Sequence, residues 1–120
     1  MTLEEIRTVA MACKGATEDI KWESHVCFNV GEKMFLITSP DAVPCSASFK
    51  VKEEELDEIL AKTGFRKQPH LARYSWVLVD DINRMTKKEW TETIRTSYEL
   101  VSQKLPKRIK KELGLISDTK

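Results

Sequence analysis

The chain has 120 residues, 41% of them hydrophobic and 32% charged, with four glycines and four prolines, which is room for one two-layer core and too little for two independently packed units. That composition excludes disordered, collagen-like and low-complexity classes. Apolar runs such as Met34–Ile37 and Trp76–Val79 are four residues long, far short of the about 20 that a membrane-spanning helix needs.

Thr2-Leu-Glu-Glu5 forms a capping box, and Leu3, Ile6, Ala10 and Cys13 follow at helical spacing. The pattern predicts a first helix over about 3–14, closed by Gly15. From Thr17 the period changes to two. Ile20 and Trp22 share one face, Val26, Phe28 and Val30 share one, and 33–38 is rich in strand formers. Gly31-Glu32 suits a two-residue hairpin turn, with glycine supplying the positive φ of a primed turn. A loop through Pro40, Asp41 and Pro44 leads to an alternating stretch over 45–51.

Leu56, Ile59 and Leu60 then predict a helix over 53–62, whose first-turn carboxylates complement the helix dipole. A divalent-cation site is the alternative reading of that acidic run. Gly64 ends the helix, and 73–80 alternates as a strand, with apolar residues on both faces near Trp76. Thr86-Lys-Lys-Glu89 is a second capping box. Trp90, Ile94, Tyr98, Val101 and Leu105 continue it as the longest helix, until Pro106 breaks it and 107–113 forms a short amphipathic helix with Ile109 and Leu113 inward.

The expected fold class is α+β, two layers, an antiparallel sheet covered on one face by helices. Its order is one helix, three or four strands, a helix, one or two strands and two helices. Residues 1–116 read as a single domain with 117–120 as a frayed tail.

The net charge of +1 conceals a lopsided chain. Residues 1–58 carry six Lys/Arg against twelve Asp/Glu, a net of −6, and residues 59–120 carry fourteen against seven, a net of +7. The three cysteines, Cys13, Cys27 and Cys45, fit neither a disulfide framework nor zinc spacing and read as free, mostly buried thiols. The acidic start, Met-Thr-Leu-Glu-Glu, lacks the features of an export signal, so a cytoplasmic protein is expected.

Three stretches carry a resemblance: 15–35 (GATEDIKWESHVCFNVGEKMF), 69–77 (PHLARYSWV) and 97–107 (SYELVSQKLPK). In order and spacing they resemble the MmcQ/YjbR family. The resemblance implies a CyaY-like, frataxin-type α+β fold. It also implies DNA binding, a description drawn from two wing-like hairpins, and it brings no catalytic residues and no cofactor.

Two functional readings follow. In the first, double-stranded DNA is the partner, its phosphates held by Lys104, Lys107, Arg108, Lys110 and Lys111 together with Arg66, Lys67 and Arg73, provided that the two basic stretches share one face. In the second, the chain has no DNA role and binds a small molecule or a protein through Asp19, Trp22, His25 and Lys33. Trp76 and Trp90 read as core residues. Glu4, Glu5, Glu18 and Asp19, the nearest equivalents of an iron-binding ridge, are too sparse for one, so no metal site is expected. Without a phosphate loop, an i,i+4 metal-ligand pair or a nucleophile turn, no enzyme activity is expected either.

Overall fold

Thr2 starts the first helix as its sequence predicts. In the computed structural model, which describes residues 1–21, 24–69, 71 and 75–116, the Glu5 N–H donates to Thr2 Oγ1 at 3.1 Å and the Thr2 N–H donates to Glu5 Oε1 at 2.8 Å. Helix α1 (Leu3–Met11) stops earlier than the periodicity suggests. The chain then turns through Gly15, at φ +78°, into the sheet.

Four strands follow: β1 (Ala16–Lys21), β2 (His25–Val30), β3 (Lys33–Ser39) and β4 (Ser46–Lys50). A 3-10 turn at Glu53–Glu55 leads into α2 (Leu56–Leu60), shorter than its sequence pattern. Strands β5 (Phe65–Lys67) and β6 (Trp76–Val79) precede α3 (Lys87–Ser102) and α4 (Lys107–Glu112). The second capping box is present at α3, where Glu89 N–H donates to Thr86 Oγ1 at 3.1 Å and Thr86 N–H to Glu89 Oε1 at 2.8 Å. The strand expected over 73–80 begins at Trp76; Arg73 and Tyr74 lie outside the described residues, as does the expected tail 117–120.

All pairings are antiparallel, in the order β1-β2-β3-β4-β6-β5. The architecture is therefore the expected α+β sheet with helices on one face, the first hairpins lying side by side and the last two strands exchanging places. Gly31 and Glu32 both take positive φ, +55° and +67°, and join Val30 to Lys33 as the two-residue turn that the sequence suggests.

Alternation along each strand gives the sheet two chemically different faces. Phe28, Val30, Leu36, Phe49, Val77 and Val79 turn toward the helices and pack with Ile6, Ala10, Trp90, Ile94, Val101 and Leu105. Trp90 is fully buried there. Its indole N–H donates to the Ile82 carbonyl at 2.8 Å, and its ring meets Phe49 edge-on at 5.7 Å. Cys27, Ile37 and Trp76 form a smaller cluster on the opposite face, with Met34 and Leu71 against it. Trp76 and Trp90 are both buried, as expected, but they lie on opposite faces of the sheet.

Candidate functional site

The sheet face without helices holds the larger of two adjoining clefts. In the paired register Asp19 faces Cys27, Cys27 faces Ile37, Ile37 faces Ser48, Ser48 faces Leu78 and Leu78 faces Arg66, so one row of side chains crosses all six strands. Gln68 ties the chain after β5 onto this row: its backbone N–H donates to the Trp76 carbonyl at 3.0 Å and its Nε2 donates to Ser48 Oγ at 2.7 Å. Leu71 N–H donates back to Gln68 O at 3.0 Å. A cleft of about 580 Å³ remains, lined by His25, Met34, Ile37, Ser39, Leu71 and Leu78 among others. Beneath it the Cys27 thiol is pushed up to about 11 by burial, which keeps it protonated at neutral pH.

Met34 and Leu71 are also walls of a second cleft of about 290 Å³, whose other lining includes Lys33, Lys50, Lys104 and Trp76. Each lysine arrives from a different element. Lys33 opens β3 after the tight turn, Lys50 ends β4, and Lys104 follows α3 at the corner before Pro106. The corner seats against the turn because Gly31 has no side chain: a β-carbon there would lie 2.8 Å from a Leu105 methyl. Ser97, fully buried on α3, fixes the strand ends from beneath. Its hydroxyl donates to Phe35 O at 2.5 Å and accepts from Lys50 N–H at 2.9 Å.

Among the described residues no carboxylate lines this second cleft. Burial, and then the neighbouring Lys104 charge, hold the Lys50 ammonium below its usual pKa. Among the described residues the ion pairs are Arg7–Glu18 and Arg84–Asp80, so none of the three lysines is neutralised by a described acid. A further cleft of about 350 Å³ beside α2 and α3 carries Lys52, Lys62 and Arg84 but also Glu55, Glu89 and Glu92, and its mixed signs select no ligand charge.

The structure redistributes the residues that the sequence singles out. From the pocket set, His25 lines the apolar cleft and Lys33 the basic one. Asp19 stands on β1 opposite Cys27 and accepts from Asn29 Nδ2 at 3.1 Å without lining either cleft, and Trp22 lies outside the described residues. From the basic set, Lys104 joins Lys33 in the basic cleft. Lys107, Arg108 and Lys111 are exposed on α4, and Lys110 is half-buried.

Arg66 and Lys67 do not join them. They sit on β5, the edge strand farthest from β1, whereas α4 packs through Ile109 beside Gly31 and through Leu113 beside Gly15, at the β1–β2–β3 end. Arg73 and His70 lie outside the described residues. Strand order thus places β5 at the sheet edge opposite β1, and neither Arg66 nor Lys67 lines the cleft of Lys33, Lys50 and Lys104.

Lys50, Met34 and Leu71 are the site residues that sequence reading missed. Lys50 carries a faint signal, a lysine alternating with Phe49 and Val51 at a strand end, but only the β4–β6 pairing brings it opposite Trp76. The acids considered for a metal have other roles: Glu5 caps α1 and Glu18 pairs with Arg7. Among the described residues no group of His, Cys, Asp and Glu is placed to hold a metal ion, and no described helix is long and apolar enough to cross a membrane.

The fold has solved counterparts. A Deinococcus radiodurans protein of the domain family DUF419 superposes with a TM-score of 0.83 at 26% identity, over 94% of this chain and 88% of that one. A Pseudomonas syringae protein superposes with a TM-score of 0.68 at 18% identity, over 83% of this chain and 98% of that one. No curated protein matches the sequence. The YjbR family model matches residues 11–100, from the end of the first helix through the sheet and most of α3, and by that match the chain belongs to the YjbR family.

Proposed function

We propose that this chain is a binding module, without a catalytic step, that takes an anionic ligand in the cleft of Lys33, Lys50 and Lys104. The observation behind this reading is the convergence of three ammonium groups from three elements on one concave wall that contains no acid among the described residues. Lysine is a compact point charge suited to carboxylate or phosphate oxygens, and partial burial strengthens its attraction for an anion relative to water. Cys27 on the same sheet face is no candidate nucleophile, since a nucleophilic thiol needs a lowered pKa and burial raises this one. Calorimetric titration with inorganic pyrophosphate at about 50 mM salt tests the reading. Wild type binds, and a Lys33→Gln/Lys50→Gln/Lys104→Gln variant loses binding; equal binding by the variant overturns it.

Nucleic-acid binding is the second reading, favoured by the exposed Lys107, Arg108 and Lys111 of α4, which follow Lys104 closely in the chain. Four phosphate contacts give a slope of log affinity against log salt of about −3 to −4. Fluorescence anisotropy of a labelled random duplex measures this slope. A Lys107→Gln/Arg108→Gln/Lys111→Gln variant should lose the binding, and salt-independent binding or none at all overturns this reading. For location we propose the cytoplasm, a reducing compartment suited to three free cysteines; recovery of the native protein in an exported fraction would overturn it.

A further inference from the structure

We infer that the anion held by Lys33, Lys50 and Lys104 is the head group of an amphipathic small molecule, a carboxylate with an aliphatic body that lies in the adjoining cleft on the helix-free face of the sheet. The inference rests on the anion-binding reading and adds the ligand's class.

The two clefts are neighbours through shared walls. Met34 and Leu71 each line both, so a molecule held by the lysines needs only to cross those two side chains to reach Ile37 and Leu78. At about 580 Å³ the apolar cleft is within the range of about 300–1,000 Å³ in which small-molecule sites fall. One of its polar side chains, the Ser48 hydroxyl, is already engaged by Gln68. Met34, Ile37, Pro69, Leu71 and Leu78 give the cleft its apolar contact beside the polar His25, Ser39, Ser48 and Gln68, and the lysines of the adjoining cleft put charge at one end. Met34, a flexible thioether at the junction, suits a wall that adapts to what lies across it. A nucleic-acid backbone would satisfy the lysines and leave the apolar cleft unused, whereas an amphipathic anion uses both.

Burial of a methylene gives about fourfold in affinity, which makes chain length the discriminating variable. The full chain is titrated calorimetrically with hexanoate, octanoate and decanoate, with decanol as the uncharged control and inorganic pyrophosphate as a head-only probe. Affinity should rise by about fourfold per added methylene until the cleft is filled, and decanoate should bind more tightly than decanol. The triple lysine-to-glutamine variant should bring decanoate down to the decanol level. Ser39→Trp, which fills the apolar cleft, should abolish the chain-length dependence and leave pyrophosphate binding intact.

Pyrophosphate binding with an affinity that is flat from hexanoate to decanoate overturns the amphipathic ligand and leaves the anion site standing. A chain-length dependence that ignores the lysines overturns the head-group assignment. Absence of binding by any of these probes overturns both readings. The wild-type series decides the matter by itself if Ser39→Trp does not fold.

Discussion

Gly31 sits beneath Leu105 so closely that a β-carbon on the glycine would lie 2.8 Å from one leucine methyl and 2.9 Å from the other. The β2–β3 turn and the α3–α4 corner are thereby locked together, and Lys33 and Lys104, two and one residues from that contact, are held on the same cleft. Gly31→Ala meets both the clash and a φ of +55°. It should destabilise the fold by about 1–3 kcal/mol, the usual cost of overpacking. Urea unfolding measures it, and an unchanged midpoint would show that the corner gives way freely.

Ser97 is the second point of attachment. Its hydroxyl donates to Phe35 O and accepts from Lys50 N–H, with no exposure of its own. Ser97→Ala leaves a backbone carbonyl and a backbone N–H unpaired, at about 1–3 kcal/mol for each buried group left unsatisfied. We expect a stability loss of about 2 kcal/mol or more in denaturant unfolding, with faster amide exchange at Lys50. A loss within error would mean that water replaces the hydroxyl.

Acid sensitivity should come partly from the α3 capping box. The hydrogen bond from the Thr86 backbone N–H, with a smaller one involving its side chain, holds the Glu89 carboxyl below its ordinary value of 4.5. A depressed carboxylate contributes stability that is fully present above the unfolded value and is lost as pH falls through the folded one. Stability should therefore decline below about pH 4.5, and less steeply in Glu89→Gln, whose amide still accepts the bond but does not titrate. Identical pH profiles for the two proteins would remove Glu89 from the acid response.

The three thiols should separate by burial. Cys27 is fully buried with its pKa pushed up to about 11, whereas Cys13 and Cys45 are half-buried. At pH 8 a thiol-disulfide reagent should modify Cys13 and Cys45 in the native protein and reach Cys27 only on unfolding. Mass spectrometry of the labelled peptides reads the order, and rapid native labelling of Cys27 would contradict its place beneath the cleft.

Much of the fold was legible in the sequence because its determinants are local. Thr2/Glu5 and Thr86/Glu89 announce helix starts through contacts three residues apart. The period-two stretches announce strands, and Gly31-Glu32 a two-residue turn. Helix ends were less legible: α1 stops at Met11, and α2 is reduced to Leu56–Leu60 with its expected first turn wound as a 3-10 turn over Glu53–Glu55, because helix ends fray and tighten in ways that side-chain periodicity does not mark.

The site was half legible. Lys33, His25 and Lys104 stood out by type and company, but in two rival groups, and Arg66 and Lys67, grouped with Lys104 on the condition of a shared face, do not line its cleft. The sequence by itself determined the helices, most of the strands, their order and the family, while leaving the strand count open and β5 unplaced. Only the tertiary structure decided that β6 lies between β4 and β5, that Trp76 and Trp90 lie on opposite faces of the sheet, and that Lys33, Lys50 and Lys104 share one wall. The physical reason is range: capping and periodicity are settled by neighbours within one turn or one pleat, whereas strand order and the meeting of three lysines up to 71 positions apart depend on which apolar surfaces bury one another.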